Sequence, residues 1–155
     1  MAVVVLTFLG AAPASATNRA LTGPVTRWSL SYARAHWHGR LPACGVVRVR
    51  VGITQGPAGA YRGYAYPDRC RIEIARTLIT DGPPERHELE YCAVLVHEYG
   101  HLLGLGHSTD PHSIMQPEAP GSAAPMCVQR YFFHSRWGHG ATYPPLPGWA
   151  QSHTA

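Results

Sequence analysis

The stretch HEYGHLLGLGH, residues 97–107, constrains the fold most, because its spacing suits a helix that ends at a metal ion. His97 and His101 are four residues apart, so on a helix both imidazoles lie on one face and can reach one ion. Gly104 can end this helix, since glycine accepts the left-handed conformation found at helix C-termini. His107 can then approach the same ion from outside the helix. Three neutral nitrogen ligands and one open position are typical of a catalytic zinc site.

Glu98 follows the first of these histidines and is rotated by about 100° around the helix. It is therefore not expected to bind the ion, but it can contact a water molecule bound there. Zinc lowers the pKa of such a water toward about 7, and Glu98 can take a proton from it as it attacks a peptide carbonyl. The alternative, three histidines buried for structural reasons, needs a separate explanation for every spacing.

The composition indicates one globular domain without an obvious polyanionic partner. A chain of 155 residues is long enough for one hydrophobic core and too short for two domains. The net charge is +4, and all thirteen basic residues are arginines that form no run. This scatter favours a compositional bias over the other interpretation, an acidic partner or nucleic acid. The expected partner is a peptide or protein substrate, with no nucleic acid, no membrane insertion and a monomeric state.

The first sixteen residues are typical of a secretory signal. An apolar run from Val3 to Leu9 precedes Ala14-Ser15-Ala16, an A-x-A cleavage site, and is too short to span a bilayer. The alternative is a buried first strand. The expected division is a signal peptide at 1–16, a folded domain at 17–137 and a flexible tail at 138–155, and the expected location is extracellular.

Four cysteines fit an exported protein with two disulfides, and four allow three pairings. Cys44 and Cys70 each precede a strand-like run, so parallel neighbouring strands would bring them together. Cys92 lies on the metal-carrying helix, and Cys127 lies in a segment that must pack against it. We therefore expect the disulfides Cys44–Cys70 and Cys92–Cys127.

The hydrophobic pattern predicts an α+β (α/β-like) domain with a short mixed sheet, a buried helix and a C-terminal helical segment. The connection between the first two strands is too short for a parallel crossover, so the second strand should be antiparallel and the first and third can be parallel. The expected elements are a flexible start at 17–23, helices at 25–38, 85–103 and from about 124, strands at 46–53, 61–66 and 71–75, and a loop at 52–59.

The chain resembles the metzincin zinc peptidases. HEYGHLLGLGH fits the pattern H-E-x-x-H-x-x-G-x-x-H, and Met115 in SIMQP is similar to the Met-turn of that family. Ser108 and the upstream GYAY run make the chain most similar to the matrixin branch. The resemblance implies a small zincin domain with Zn²⁺ as cofactor and Met115 as the floor under the metal. It also implies that His97, His101 and His107 are the zinc ligands and that Glu98 is the general base.

The resemblance also implies a substrate edge, in which Gly63, Tyr64, Ala65 and Tyr66 pair with an extended peptide. PACGV at residues 42–46 is similar to the matrixin cysteine switch, in which a propeptide thiolate caps the zinc, and a disulfide at Cys44 is the alternative. The expected function is a secreted zinc metalloendopeptidase. Two alternatives are a zinc-binding recognition module that does not cut, which has no need of Glu98, and a zinc hydrolase of a non-peptide amide.

Asp110 follows the last of the three histidines closely. Its carboxylate could accept a hydrogen bond from a ligand histidine, or the residue could form a turn after the helix.

Overall fold

Two helices and a small mixed sheet form the domain in the computed structural model, which describes residues 15–52, 55–56, 59–79, 84–117 and 127. The helices are α1 (Ser15–His36) and α2 (Pro84–Leu102). The strands are β1 (Arg48–Gly52), β2 (Gln55–Gly56), β3 (Gly59–Ala60), β4 (Gly63–Tyr66) and β5 (Arg71–Ala75), with 3₁₀ turns at Pro67–Arg69 and Arg76–Ile79. This arrangement confirms the predicted α+β class.

The main sheet has the strand order β1-β5-β4. Strand β1 runs parallel to β5 with Arg48 beside Arg71, and β4 runs antiparallel to β5 with Tyr66 beside Arg71. Both directions agree with the short connection that leads into β4. Strand β4 therefore lies at an edge of the sheet. The stretch 52–59, expected to be a loop, instead contributes to a short antiparallel ribbon in which β2 pairs with β3.

Helix α1 begins earlier than the sequence pattern indicated. Residues 17–23 were expected to be a flexible start, but the helix begins at Ser15 and includes them. Alanine and leucine favour a helix in this stretch, and Pro24 lies within the helix. At the other end, His38 adopts φ 54°, and the N–H of Gly39 donates to the Arg34 carbonyl at 2.8 Å. This cap ends α1 close to the predicted boundary.

The core lies between the inner face of the sheet and the two helices. Ile72 and Ile74 of β5 are fully buried against α2, and Tyr32 is buried on α1. Every residue of α2 from 91 to 100 is buried, as its apolar surface predicted. Helix α2 is thus held on several sides, which fixes the position of whatever its C-terminal end carries. Neither described helix is long and apolar enough to cross a membrane.

Both predicted disulfides are present. The Cα atoms of Cys44 and Cys70 lie 5.3 Å apart, and those of Cys92 and Cys127 lie 5.7 Å apart. Because Cys44 is bonded to Cys70, it offers no thiolate that could bind a metal. The interpretation of residues 42–46 as a cysteine switch is therefore wrong, and the alternative, a disulfide at Cys44, is confirmed. Apart from Cys127, the predicted third helix and the predicted tail at 138–155 lie outside the described residues, as does the apolar run at 3–9.

Candidate active site

Helix α2 ends in a hydrogen-bonded cap that turns the chain back beside the helix. Gly104 adopts φ 83°, the left-handed conformation expected of it. The N–H of Leu105 donates to the Gly100 carbonyl at 3.1 Å, and the N–H of Gly104 donates to the His101 carbonyl at 3.0 Å. These two bonds form a Schellman cap. The cap brings His107 back toward the helix it has just left.

The three histidines of the stretch come together at this end of α2. One ring nitrogen from each of His97, His101 and His107 lies within 4.8 Å of the others. The ring centroids are 4.7 to 5.3 Å apart. His97 is buried, His101 is half-buried and His107 is exposed. The cluster is therefore open to solvent on one side.

Backbone carbonyls hold the second nitrogen of two of these rings. Nδ1 of His97 lies 2.7 Å from the Ile114 carbonyl oxygen, and Nδ1 of His101 lies 2.8 Å from that of Leu105. Because a carbonyl only accepts hydrogen bonds, each Nδ1 donates, and each neutral ring has a lone pair on Nε2. Such bonds also orient the rings, as is usual for histidines that bind a metal.

The two Nε2 atoms of His97 and His101 face each other at 3.0 Å. Burial lowers the pKa of His97 to about 4, with smaller lowering by the two neighbouring imidazoles, against the opposing effect of the Ile114 carbonyl. Burial also lowers the pKa of His101. At neutral pH the Nε2 lone pairs of His97 and His101 therefore point at each other, and no proton lies between them.

A zinc ion fits this arrangement. Two nitrogen ligands of a tetrahedral zinc, each 2.0–2.1 Å from the ion, lie about 3.3 Å apart, close to the separation of the facing Nε2 atoms. Imidazole nitrogens are among the ligands that zinc prefers. A cation between the rings would satisfy both lone pairs, and His107 supplies a third nitrogen.

Glu98 lies beside this cluster on α2 and is 6% exposed. Burial raises the pKa of its carboxyl from 4.5 to about 7, while a hydrogen bond from the Ala65 backbone lowers it. The group of possible metal ligands does not include Glu98, in agreement with its rotation around the helix. A carboxyl with a pKa near neutrality suits proton transfer to and from water.

Met115 is buried against α2 at Gly100. Its carbonyl accepts a hydrogen bond from the N–H of Ser108 at 2.8 Å, which closes the loop between the last histidine and the methionine. Since Ile114 precedes Met115, the same loop brings up the carbonyl that orients His97. The predicted Met-turn thus lies next to the histidine cluster, and its role as a floor under the metal stays a prediction.

A cleft of about 940 Å³ runs between α2 and β4 past the histidines. Three of the four residues predicted to bind substrate line it, namely Gly63, Tyr64 and Ala65, whereas Tyr66 does not. Gly63 packs directly on Glu98, with no room for a side chain. The cleft therefore joins an edge strand to the Glu98 carboxyl and a candidate metal site.

Comparison with known families agrees with this geometry. The family model described as Matrixin matches residues 25–125, about two thirds of the chain. The chain belongs to the matrixin family. This match confirms the resemblance to the matrixins that the sequence shows. Matrixins are zinc metallopeptidases, and the matched residues therefore form a domain of the metallopeptidase type.

Individual relatives match this matrixin over shorter stretches. Matrix metalloproteinase-25 of Mus musculus is 53% identical over 38 residues, which cover 24% of this chain and 6% of the relative. The Homo sapiens protein of the same name is 53% identical over 38 residues, 24% of this chain and 7% of its own length. Metalloendoproteinase 1 of Glycine max is 38% identical over 72 residues, 42% of this chain and 23% of the relative. The chain thus spans a small part of these relatives, and no solved structure matches it.

Several positioning groups of this matrixin carry no signal in the sequence. The Ile114 and Leu105 carbonyls orient two histidines, and every residue has such a carbonyl. Asp110, considered as a partner for a histidine, instead accepts a hydrogen bond from the His112 N–H at 2.9 Å and turns the chain. Trp37, which directly follows α1, donates its indole N–H to the Val96 carbonyl at 3.0 Å, one residue before His97. Trp37 and Val96 are 59 residues apart in the sequence, so no local pattern could predict this contact.

Proposed function

We propose that this matrixin is a secreted zinc metalloendopeptidase that hydrolyses peptide bonds in the cleft between α2 and β4. The observation that carries the proposal is the buried carboxyl of Glu98 beside three convergent imidazoles, at the foot of an edge strand. A module that only recognises a partner has no use for a buried base with a pKa near 7.

The histidines His97, His101 and His107 would hold the zinc ion. When bound, the ion supplies a Lewis acid, which makes water acidic enough to lose a proton near neutral pH and polarises the substrate carbonyl. Glu98 takes the proton from the water whose oxygen attacks the carbonyl carbon. Glu98 then donates that proton to the amide nitrogen as the carbon–nitrogen bond breaks, so the carboxylate is regenerated.

The free edge of β4 would position the substrate. Strand β4 pairs with β5 on one side, and its other side borders the cleft. An extended peptide added to this edge makes main-chain hydrogen bonds, which tolerate many side chains. The Ala65 backbone, which bonds to Glu98, links the base to the strand that would hold the scissile peptide.

Secretion is part of the proposal. The two disulfides suit an oxidising compartment, and the first sixteen residues have the pattern of a secretory signal. We further propose a monomer whose partner is a peptide or protein substrate, without nucleic acid and without membrane insertion.

Incubation of the purified protein with a peptide library, with and without a chelator, tests the function. We expect cleavage that stops on chelation and returns with zinc. Glu98→Ala should keep zinc and lose cleavage, because it removes the base and leaves the three imidazoles. Cleavage by Glu98→Ala at the wild-type rate would contradict the mechanism. A zinc-loaded wild-type protein that cuts no peptide would instead point to a recognition module or to a hydrolase of another amide.

A further inference from the structure

The outer face of the main sheet is turned away from both helices. We define it by six residues, two from each strand: Arg48, Arg50, Arg71, Glu73, Tyr64 and Tyr66. Their alternate neighbours Ile72, Ile74 and Ala65 are buried in the core, whereas Arg48, Arg50 and Tyr64 are exposed. The other three residues are half-buried. Strand pairing thus gathers three of the thirteen arginines, Arg48, Arg50 and Arg71, on one face.

Strand register places two arginines side by side on this outer face. Arg48 of β1 is aligned with Arg71 of β5, and Arg50 is aligned with Glu73. Neighbouring strands lie about 4.8 Å apart, and like charges directly opposite each other destabilise a sheet. Three arginines and one glutamate leave the outer face with a net positive charge. The arrangement would be stabilised by an external anion.

The charges of the outer face are poorly neutralised within the described part of the chain. The nearest approach of Arg71 to Glu73 is 3.7 Å, and the other oxygen of Glu73 accepts a hydrogen bond from Tyr66 at 3.0 Å. The Nε of Arg71 is buried without a hydrogen-bond partner, and its guanidinium lies 4.1 Å from the centre of the Tyr66 ring. Arg48 and Arg50 form no ion pair with a described residue.

We propose that the outer face binds an acidic segment of the protein substrate, beyond the residues that enter the cleft. This inference rests on the proposed endopeptidase function. The occupant follows from continuity, because Tyr64 both lines the cleft and belongs to the outer face, with its ring 4.8 Å from that of Tyr66. A chain leaving the edge of β4 can therefore cross this face. Arginine suits the role, since its planar fork matches carboxylates in two-point contacts.

Cleavage of matched peptides tests the proposal. Four peptides share one neutral scissile core and form two pairs. In each pair, one peptide carries a run of glutamates and the other a run of glutamines. The run precedes the core in one pair and follows it in the other. For at least one placement, the glutamate peptide should have a kcat/KM about tenfold higher through a lower KM, and high salt should abolish the difference.

Arg48→Ala/Arg50→Ala is the test variant, because both side chains are exposed and outside the cleft. The matched control is Arg27→Ala/Arg40→Ala, which removes two exposed arginines elsewhere. The test variant should lose the preference for glutamate while cleaving the glutamine peptide at the wild-type rate, and the control should keep the preference. Equal loss in both variants, or no preference in the wild type, would overturn the proposal.

Binding to Glu98→Ala separates this inference from the proposed function. Fluorescence anisotropy of the labelled glutamate peptide should show binding that the added Arg48→Ala/Arg50→Ala change weakens about tenfold. If the wild type cuts no peptide, the endopeptidase function fails, but this measurement still decides whether the outer face binds an acidic chain. Tighter binding of a sulfated polysaccharide, lost in the same variant, would assign the face to a polysaccharide and overturn the peptide proposal.

Discussion

A β-carbon on Gly63 would lie 2.8 Å from Oε1 and 2.9 Å from Cγ of Glu98, and it would overlap the side chain of Val94. The edge strand β4 and helix α2 therefore meet at a point where only a hydrogen fits. The contact joins two parts of the proposed chemistry, since Gly63 belongs to the strand that would hold the substrate and Glu98 is the proposed base. Any enlargement here must displace the carboxyl, the strand or both.

Gly63→Ala should lower kcat at least about tenfold, because the added methyl forces the Glu98 carboxyl from its position. Overpacking should also destabilise the fold by roughly 1–3 kcal/mol. Zinc content should remain near the wild-type value, since the three atoms nearest to the added β-carbon belong to Val94 and Glu98 and not to a histidine. The measurements are steady-state cleavage of a library-derived peptide, metal analysis and urea unfolding.

Gly52→Ala is the matched control for this variant. Gly52 also lies in a strand of the main sheet, and a β-carbon there would meet nothing within 4 Å. We expect its cleavage rate to stay within about twofold of wild type, as for surface substitutions. Equal activity of Gly63→Ala and Gly52→Ala would show that the position of Glu98 does not depend on this contact.

Glu98→Gln should stabilise the metal-free protein in a pH-dependent way. Burial raises the pKa of Glu98 from 4.5 to about 7 in the folded state. Below pH 4.5 the carboxyl is protonated in both the folded and the unfolded state, so its burial costs no stability. As the pH rises from 4.5 through about 7, the free energy of unfolding falls, because ionisation is easier in the unfolded chain than in the buried site. The variant, always neutral, should gain about 3 kcal/mol at pH 8 and under about 1 kcal/mol at pH 5.

Urea unfolding in the presence of a chelator, at both pH values, measures this difference. Asp110→Asn is the control for the loss of a carboxyl, because Asp110 is exposed and asparagine keeps the oxygen that accepts from His112. A stability gain for Glu98→Gln that is the same at pH 5 and pH 8 would show that burial of charge is not its source.

The sequence was sufficient to predict helix α2 and its C-terminal cap because helical periodicity and glycine conformation are local properties. His97 and His101 follow from the 3.6-residue turn, and Gly104 follows from the requirement for a left-handed residue. The antiparallel direction of β4 followed from loop length alone. The role of Gly63 could not be predicted, because it depends on how closely a strand approaches a helix more than thirty residues away.

His107→Ala should weaken zinc binding by more than about a hundredfold. The loss of a group that only supports a ligand weakens metal binding by up to about a hundredfold, and the loss of a ligand itself should weaken it more. Among the described residues, His107 is the ligand candidate that lies outside α2, and its nitrogen lies within 4.8 Å of the other two. The control is His112→Ala, an exposed histidine of the same loop whose side chain is not in the cluster. Competition with a zinc-binding dye measures both, and full zinc occupancy of His107→Ala would remove His107 from the site.

Gly100→Ala should destabilise the fold even though alanine favours a helix. A β-carbon there would overlap Sδ of Met115 and lie 3.0 Å from Cζ2 of Trp37. Overpacking of roughly 1–3 kcal/mol should outweigh the helical gain of about 1 kcal/mol. Gly23→Ala, in α1 with open space around it, is the control and should be stabilising. Thermal unfolding compares the two, and stabilisation by both would mean that Met115 and Trp37 can move away without loss.

Cys92→Ala/Cys127→Ala should destabilise the fold by roughly 2–5 kcal/mol, because the bond closes a long loop and both residues are fully buried. Non-reducing peptide mapping of the wild type should first recover the pairs Cys44–Cys70 and Cys92–Cys127. Cys44→Ala/Cys70→Ala is the comparison, since Cys44 is exposed and neither cysteine belongs to α2. Because Cys92 lies on the same helix as the histidines, only its loss should also weaken zinc binding. Equal zinc affinity in the two variants would show that this disulfide stabilises the fold without positioning the metal site.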